Sequence, residues 1–250
     1  MDQLCPPPSR VPDFGQVTPA TAAERALMSP SAPPFWGFRL WLLGLVASIM
    51  GATISFAWID IPVARHFAFN ANRFGMIDDG LSGVVLLAFE TAIVTSLLVR
   101  RMVRGRLEPW GKALVVAGTA SMCAYLLNEA IFKALFGIPS PSEMLFQSAP
   151  HVVHFFSGNP QDGFPSGHMM LSGAFAGALM RFYPRIRRGL FALLGVGALI
   201  LIWGDWHFVS DVIAGTFLGT TIGLLIAAPR TVRLASDLAH RSGLFRRKPA

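Results

Sequence analysis

Acidic residues are scarce in this chain and cysteines scarcer: 14 Asp and Glu and 2 Cys among 250 residues. Charged residues of both signs make up only 14% of the sequence against 53% hydrophobic ones. Roughly a quarter of an ordinary soluble domain is charged, so that class is excluded, and a mean hydropathy of +0.51 points the same way. The two cysteines, Cys5 and Cys123, share no metal-type spacing, and neither falls on a loop expected to be exported. No disulfide scaffold and no zinc site is expected from them. No repeat of fixed period and no second domain are visible.

What the chain does have is long apolar runs. A membrane-spanning helix needs roughly 20 mostly apolar residues, and such stretches recur at about Leu40 to Trp58, Leu81 to Val99, Ala113 to Phe136, Ser166 to Met180, Leu190 to Trp203 and Val209 to Ala228. The pattern predicts an all-α polytopic membrane protein, a bundle of six transmembrane helices over residues 37–228, with the fourth and fifth spans short. Residues 1–36, rich in Pro, Ser and Ala and without the regions of a secretory signal, read as a disordered tail. Residues 229–250 read as a basic one.

The cations give an orientation. Arg100, Arg101, Arg104, Arg106 and Lys112 follow the second span, Arg181, Arg185, Arg187 and Arg188 the fourth, and Arg230, Arg233, Arg241, Arg246, Arg247 and Lys248 the sixth. The alternate connections, read as Asp60 to Gly80, Gly137 to Pro165 and Gly204 to Phe208, hold only Arg65 and Arg73 as permanent cations. Because cytoplasmic loops carry the excess of Lys and Arg, both termini are expected in the cytoplasm of a multi-pass cell-membrane protein. The net charge of +7 is thereby assigned to topology and to anionic lipid head groups, with no nucleic-acid partner.

Two short motifs stand where apolar spans begin. Pro165-Ser166-Gly167-His168 opens the fourth span. A helix N-terminus offers unpaired N–H groups and partial positive charge, and the small Ser166 and Gly167 let an oxyanion approach, with His168 beside it. The bland reading is a serine cap next to an interfacial histidine. His207 and Asp211, four residues apart at the start of the sixth span, share one helix face. An Asp that binds one imidazole nitrogen fixes the tautomer and frees the other nitrogen for attack. Here the bland reading is a local pair at a helix start.

Convergence strengthens the functional reading, since the fourth and sixth spans begin, and the third ends, on the same face. Near that end of the third span lies Lys133, either reaching a phosphate or paired with Glu129 at i,i+4. Trp203 and Trp206 fit the aromatic belt at head-group level, with lipid contact as the sharper alternative. Glu90, inside the second span, is expected to be buried in a structural role.

Over roughly Leu40 to Ala228 the chain resembles the type 2 phosphatidic acid phosphatase (PAP2) superfamily. That family's pattern is a Lys followed after six residues by Arg-Pro, then Pro-Ser-Gly-His, then Ser-Arg followed after five residues by His-x-x-x-Asp. This sequence supplies Lys133 with Pro141, all of Pro165 to His168, and His207 with Asp211, but has Ser140 for the first arginine and Ile200-Leu201 for Ser-Arg. Both phosphate-clamping guanidiniums are missing, which weakens binding of a dianionic phosphomonoester. Arg65, Arg73, His151 and His154 are the remaining basic side chains on the exported side, and the sequence does not choose among them.

The resemblance implies roles. His207 attacks phosphorus to form a phosphohistidine, Asp211 orients it, and His168 protonates the leaving oxygen and then activates the acceptor. Lys133, Ser166 and Gly167 hold the phosphoryl oxygens, without metal or cofactor. Three functions remain open: a phosphatase acting on a lipid phosphomonoester or pyrophosphate at the exported face, a lipid phosphotransferase using a phosphodiester donor, and a non-catalytic lipid-binding membrane protein.

Overall fold

In a bilayer every backbone polar group must be satisfied within the protein, and a chain of apolar runs separated by short polar turns meets that demand as helices. The computed structural model describes residues 37–74, 79–105, 107–158, 162–229 and 231–232, with no account of the side chains of 69–74 and 79–82. The tail expected at 1–36 lies outside the described residues, as does nearly all of 229–250. Among the described residues there is no strand.

The first helix, α1 (Phe38–Ile54), passes through one π turn (Ser55–Ile59) directly into α2 (Asp60–Phe74). The connection read from sequence as starting at Asp60 is therefore helical to Phe74. Polar residues dilute the hydropathy from Asp60 onward without breaking the helix. After α3 (Asp79–Arg104), α4 (Pro109–Leu127) runs through a second π turn (Asn128–Phe132) into α5 (Lys133–Phe136), and Gly137 at φ +53° ends it. A short α6 (Pro141–Phe146) sits in the long connection before α7 (Gly167–Phe182). A 3-10 turn (Pro184–Ile186), α8 (Arg187–Trp203) and α9 (Val209–Ile226) complete the bundle.

Among the described residues, five helical stretches are long and apolar enough to cross a membrane: Phe38–Ala68, Gly83–Arg104, Pro109–Phe136, Pro184–Trp203 and Val209–Ile226. The remaining bundle helix, α7, has 16 residues and is roughly 24 Å long, short of the ~30 Å hydrocarbon core. It can be short because α4, α8 and α9 enclose it, leaving most of its side chains buried.

The α7–α9 contact is the most extensive in the molecule, and small residues make it possible. A Cβ at Gly177 would lie 2.5 Å from the Thr220 carbonyl oxygen, and one at Gly215 2.7 Å from that of Ser166. Cβ atoms at Gly219 and Gly223 would run into the carbonyls of Met170 and Ala174. The Gly215 and Gly219 pair thus serves packing inside the bundle, the close helix approach that small-xxx-small spacing allows. Apolar clusters flank the seam: Met169, Met180, Leu194, Leu201 and Val212 on one side, Ala117, Ala120, Ala178 and Ala227 on another. Glu90 is buried on α3, and its carboxylate meets the Ser121 hydroxyl of α4. Cys123 on α4 is a free thiol.

Candidate functional site

Polar side chains gather where α7 and α9 begin and where the π turns interrupt α1–α2 and α4–α5. Ser166 caps α7, its hydroxyl accepting the Met169 N–H at 3.4 Å. Its own N–H donates to the Asp211 carbonyl at 3.1 Å, which ties the start of α7 to the first turn of α9. Behind Gly167, a Cβ would lie 3.5 Å from Asn128 Nδ2 and 3.6 Å from Glu129 Oε1, so the glycine marks a close approach of α7 to the π turn of α4–α5. Asn128, fully buried, donates from Nδ2 to the Pro165 carbonyl at 3.2 Å. The Phe164–Pro165 peptide bond that leads into this corner is cis.

His207 and Asp211 meet, though not on one helix face: His207 sits in the bend two residues before α9, and the turn at Phe208 brings its ring back to the carboxylate of the first turn. His207 Nδ1 lies 3.5 Å from Asp211 Oδ2, and the same oxygen accepts the Phe208 N–H at 2.9 Å, which holds the carboxylate against the helix start. His207 is 4% exposed and Asp211 fully buried, so water does not compete for their contact. From α7, His168 brings Nδ1 to 3.4 Å from His207 Nε2, the rings crossing at 70°. Trp206 stacks on the His168 ring at 6.4 Å and 20°, while Trp203 is 45% exposed at the end of α8. The two tryptophans differ in role: Trp206 shapes the site and Trp203 faces outward.

Lys133 is placed by the π turn and forms an ion pair with Glu129 Oε1 at 2.9 Å. The ion-pair reading of this lysine holds, and because Glu129 also borders Gly167 the pair keeps the ammonium beside the N-terminus of α7. The structure brings together all six residues singled out in the sequence: His207, His168, Asp211, Lys133, Ser166 and Gly167.

The two positions that lack arginine are each occupied for a structural purpose. Ser140 caps α6, its N–H donating to Glu143 Oε2 at 2.8 Å and its hydroxyl accepting the Glu143 N–H at 3.4 Å. A Cβ at Gly163 would lie 3.1 Å from Ser140 Cα and 3.0 Å from Asp211 Oδ2, so Ser140 stands just behind the carboxylate. Leu201 is 6% exposed within the apolar cluster of Met169 and Val212, and its carbonyl accepts the Trp206 and His207 N–H groups. Among the basic residues considered as replacements, Arg65 and His154 are exposed, and the side chain of Arg73 lies outside the described residues. Only His151 is drawn in. Its ring stacks on Phe56 at 4.3 Å and meets Phe208 edge-on at 4.5 Å, with Nε2 3.7 Å from Asp60 Oδ2. Burial lowers its pKa below the usual histidine value, with the Asp211 charge pulling in the opposite direction. A neutral imidazole does not replace a guanidinium.

Three polar residues at the site escape the motif reading: Asp60, Asn128 and Ser210. Asp60 had a signal, a carboxylate closing the apolar run Ile54 to Ile59, where ionisable groups are costly and mark function. Asp205, in the turn between α8 and α9, is buried at φ +57°, and burial pushes its pKa up to about 6. Among the described residues no three His, Cys, Asp or Glu side chains are grouped to hold a metal ion.

Comparison with known proteins adds one finding. Residues 110–233 match the family model described as PAP2 superfamily. That segment contains α4 to α9 almost entirely and every motif residue named above, whereas α1, α2 and α3 precede it. No curated protein and no solved structure matches the chain.

Proposed function

Since the chain belongs to the PAP2 superfamily through residues 110–233, and so to a family of phosphatase-type enzymes acting on phosphorylated substrates, we propose that it is a membrane lipid-phosphate phosphatase working through a phosphohistidine. The observation that carries the proposal is the His168–His207–Asp211 constellation at a buried corner of the bundle. Asp211 holds the proton on His207 Nδ1, which leaves the Nε2 lone pair directed at the space beside His168.

The reaction runs in two displacements. His207 Nε2 attacks phosphorus while the bond to the ester oxygen breaks, its electron pair leaving with that oxygen and a proton arriving from His168. His168, now neutral, takes a proton from water. The hydroxide attacks the phosphorus, the P–N bond breaks, its pair returns to Nε2, and inorganic phosphate departs. Lys133 and the first N–H groups of α7 face the charge that develops on the phosphoryl oxygens. The 3.4 Å between the imidazole nitrogens is a hydrogen-bond distance. Attack at roughly 3–3.5 Å together with a hydrogen bond to the leaving oxygen needs more room, so substrate entry must part the rings.

The substrate class follows from position. The site lies at the end of the bundle opposite Arg100, Arg101 and Arg104 of α3 and the arginines between α7 and α8, and the positive-inside rule supports reading that end as the exported face. A phosphate there on a lipid monophosphate or pyrophosphate reaches the site from the head-group layer. A second reading, transfer of the phosphoryl group to an alcohol from a less charged phosphodiester donor, draws on the missing guanidiniums at Ser140 and Leu201. Phosphate release by detergent-purified protein over lipid monophosphates and pyrophosphates, without added metal, separates the readings. Release abolished by His207→Ala supports the phosphatase. No release from any of them by folded protein sinks it and moves the question to phosphodiester donors with alcohol acceptors.

A further inference from the structure

Asp60 belongs to no motif and precedes the family-matched segment, yet it makes the closest side-chain contact with the helix that carries the nucleophile's partner. Its Oδ1 accepts the Ser210 N–H at 3.1 Å and its Oδ2 accepts the Ser210 hydroxyl at 2.5 Å, across 150 residues of sequence. Asp60 and Ser210 are each 1% exposed. Ser210 is the second residue of α9 and adjoins Asp211, so this double bond grips the turn from which Asp211 reaches His207. Near the start of a helix the N–H groups lack intrahelical partners, and a carboxylate that accepts one of them also meets the positive end of the dipole. The first turn of α9 thus holds two carboxylates, Asp211 on the Phe208 N–H and Asp60 on the Ser210 N–H.

The surroundings keep this contact dry and fixed. The π turn Ser55–Ile59 comes directly before Asp60 and resets the helical face, the usual use of such a turn near a functional position. The His151 ring closes over it from the long loop, between Phe56 and Phe208. Asp60, Ser210 and Phe208 are buried, and Phe56 and His151 half-buried.

We propose that Asp60 is a positioning residue for the His207–Asp211 pair, acting through Ser210 to lock the first turn of α9. The role extends the site beyond the family-matched segment to the start of α2. Its kinetic readout rests on the proposed phosphatase activity, whereas its spectroscopic readout does not.

The test compares Asp60→Ala, Asp60→Asn, Ser210→Ala and the double variant Asp60→Ala/Ser210→Ala in the full chain. In protein labelled with 15N-histidine, with the His207 signal identified by its loss in His207→Gln, the wild type is expected to show one tautomer, protonated on Nδ1. Asp60→Ala is expected to mix the tautomers, and Asp60→Asn, which keeps an acceptor for the Ser210 N–H, to restore most of the wild-type pattern. With a hydrolysed substrate in hand, kcat per folded molecule falls roughly tenfold to a hundredfold in Asp60→Ala with KM nearly unchanged, the scale set by ångström misplacement of reacting groups. The double variant is no worse than Asp60→Ala alone. A His207 tautomer unchanged in Asp60→Ala, with at most a lower melting temperature, overturns the proposal. Should Asp60→Ala fail to fold, Ser210→Ala with Asp60 in place decides by the same signal. Should no substrate be hydrolysed by the wild type, the phosphatase reading fails while the tautomer experiment still decides this one.

Discussion

The sharpest test of the architecture is a single methyl group placed in the seam between α7 and α9. In Gly177→Ala the new Cβ would lie 2.5 Å from the Thr220 carbonyl oxygen and 3.1 Å from Thr220 Cα, against the 3.4 Å at which ordinary contact begins. The obstacle is backbone of a facing helix, so no side chain can turn away, and the helices must part by about 0.9 Å locally. Overpacking of this kind costs about 1–3 kcal/mol, offset by up to ~1 kcal/mol from the better helix propensity of alanine. Gly189→Ala on α8 is the matched control, since a Cβ there meets nothing within 4 Å and keeps only the propensity gain. The propensity gain cancels between them, so the two variants should differ by about 1–3 kcal/mol, roughly 2–12 °C in melting temperature for a chain of this size. Thermal unfolding in one detergent, monitored by a thiol- or tryptophan-based signal, makes the comparison. Because the parted helices carry His168 and Asp211, phosphate release should fall in Gly177→Ala by more than its folded fraction accounts for. Equal melting temperatures for the two variants would falsify the close approach and, with it, the packing argument for the glycines.

Two further outcomes follow from the site's surroundings. Restoring arginine should work at one position only: Leu201→Arg buries an unpaired cation at about 3–5 kcal/mol and lowers the yield of folded protein. Ser140→Arg loses a cap of about 1 kcal/mol yet raises kcat/KM for phosphomonoesters about tenfold or more through a charge-assisted contact; wild-type stability in Leu201→Arg would refute this contrast. Asp205 has a pKa raised to about 6 by burial, so the fold favours its protonated form. That stability is fully present below the unfolded value near 4 and is lost as pH rises through about 6. Asp205→Asn should therefore melt like the wild type at pH 4 and gain up to about 3 kcal/mol at pH 7.5, and a gain equal at both pH values would count against a buried, charge-averse Asp205.

Much of the bundle was legible in the sequence because lipid imposes one rule on every span, and an apolar run of the right length reports it directly. The closeness of His207 to Asp211 was legible from their short separation, although the shared helix face expected for them is not what joins them, since His207 precedes α9; the joining of His168 to them was legible because alternating spans fix an end. What escaped detection depends on features without a period. A π turn shifts the face of everything after it by one residue, and neither Ser55–Ile59 nor Asn128–Phe132 carries a distinctive composition. For that reason Asp60 read as the start of a loop, and Asn128 was passed over. His151 stood among four candidate bases with nothing to rank them, because its position depends on the path of a long loop and on Phe56 and Phe208, distant in sequence. Ser140 read as a missing arginine, when its local company, Pro141 and Glu143, also spells a helix cap.

The short, enclosed α7 has a consequence for how the protein is made. Emerging before α9, this glycine-rich helix of 16 residues has no partner yet for the face that α9 will cover. It is too short to rest comfortably across lipid by itself, and the Ser166 N–H must wait for the Asp211 carbonyl. The histidines therefore come into register only when the last span inserts, and a nascent chain stopped before α9 has neither a settled α7 nor the Asp211 that His207 meets. Insertion of the last span and assembly of the His168–His207–Asp211 corner are in this sense one event.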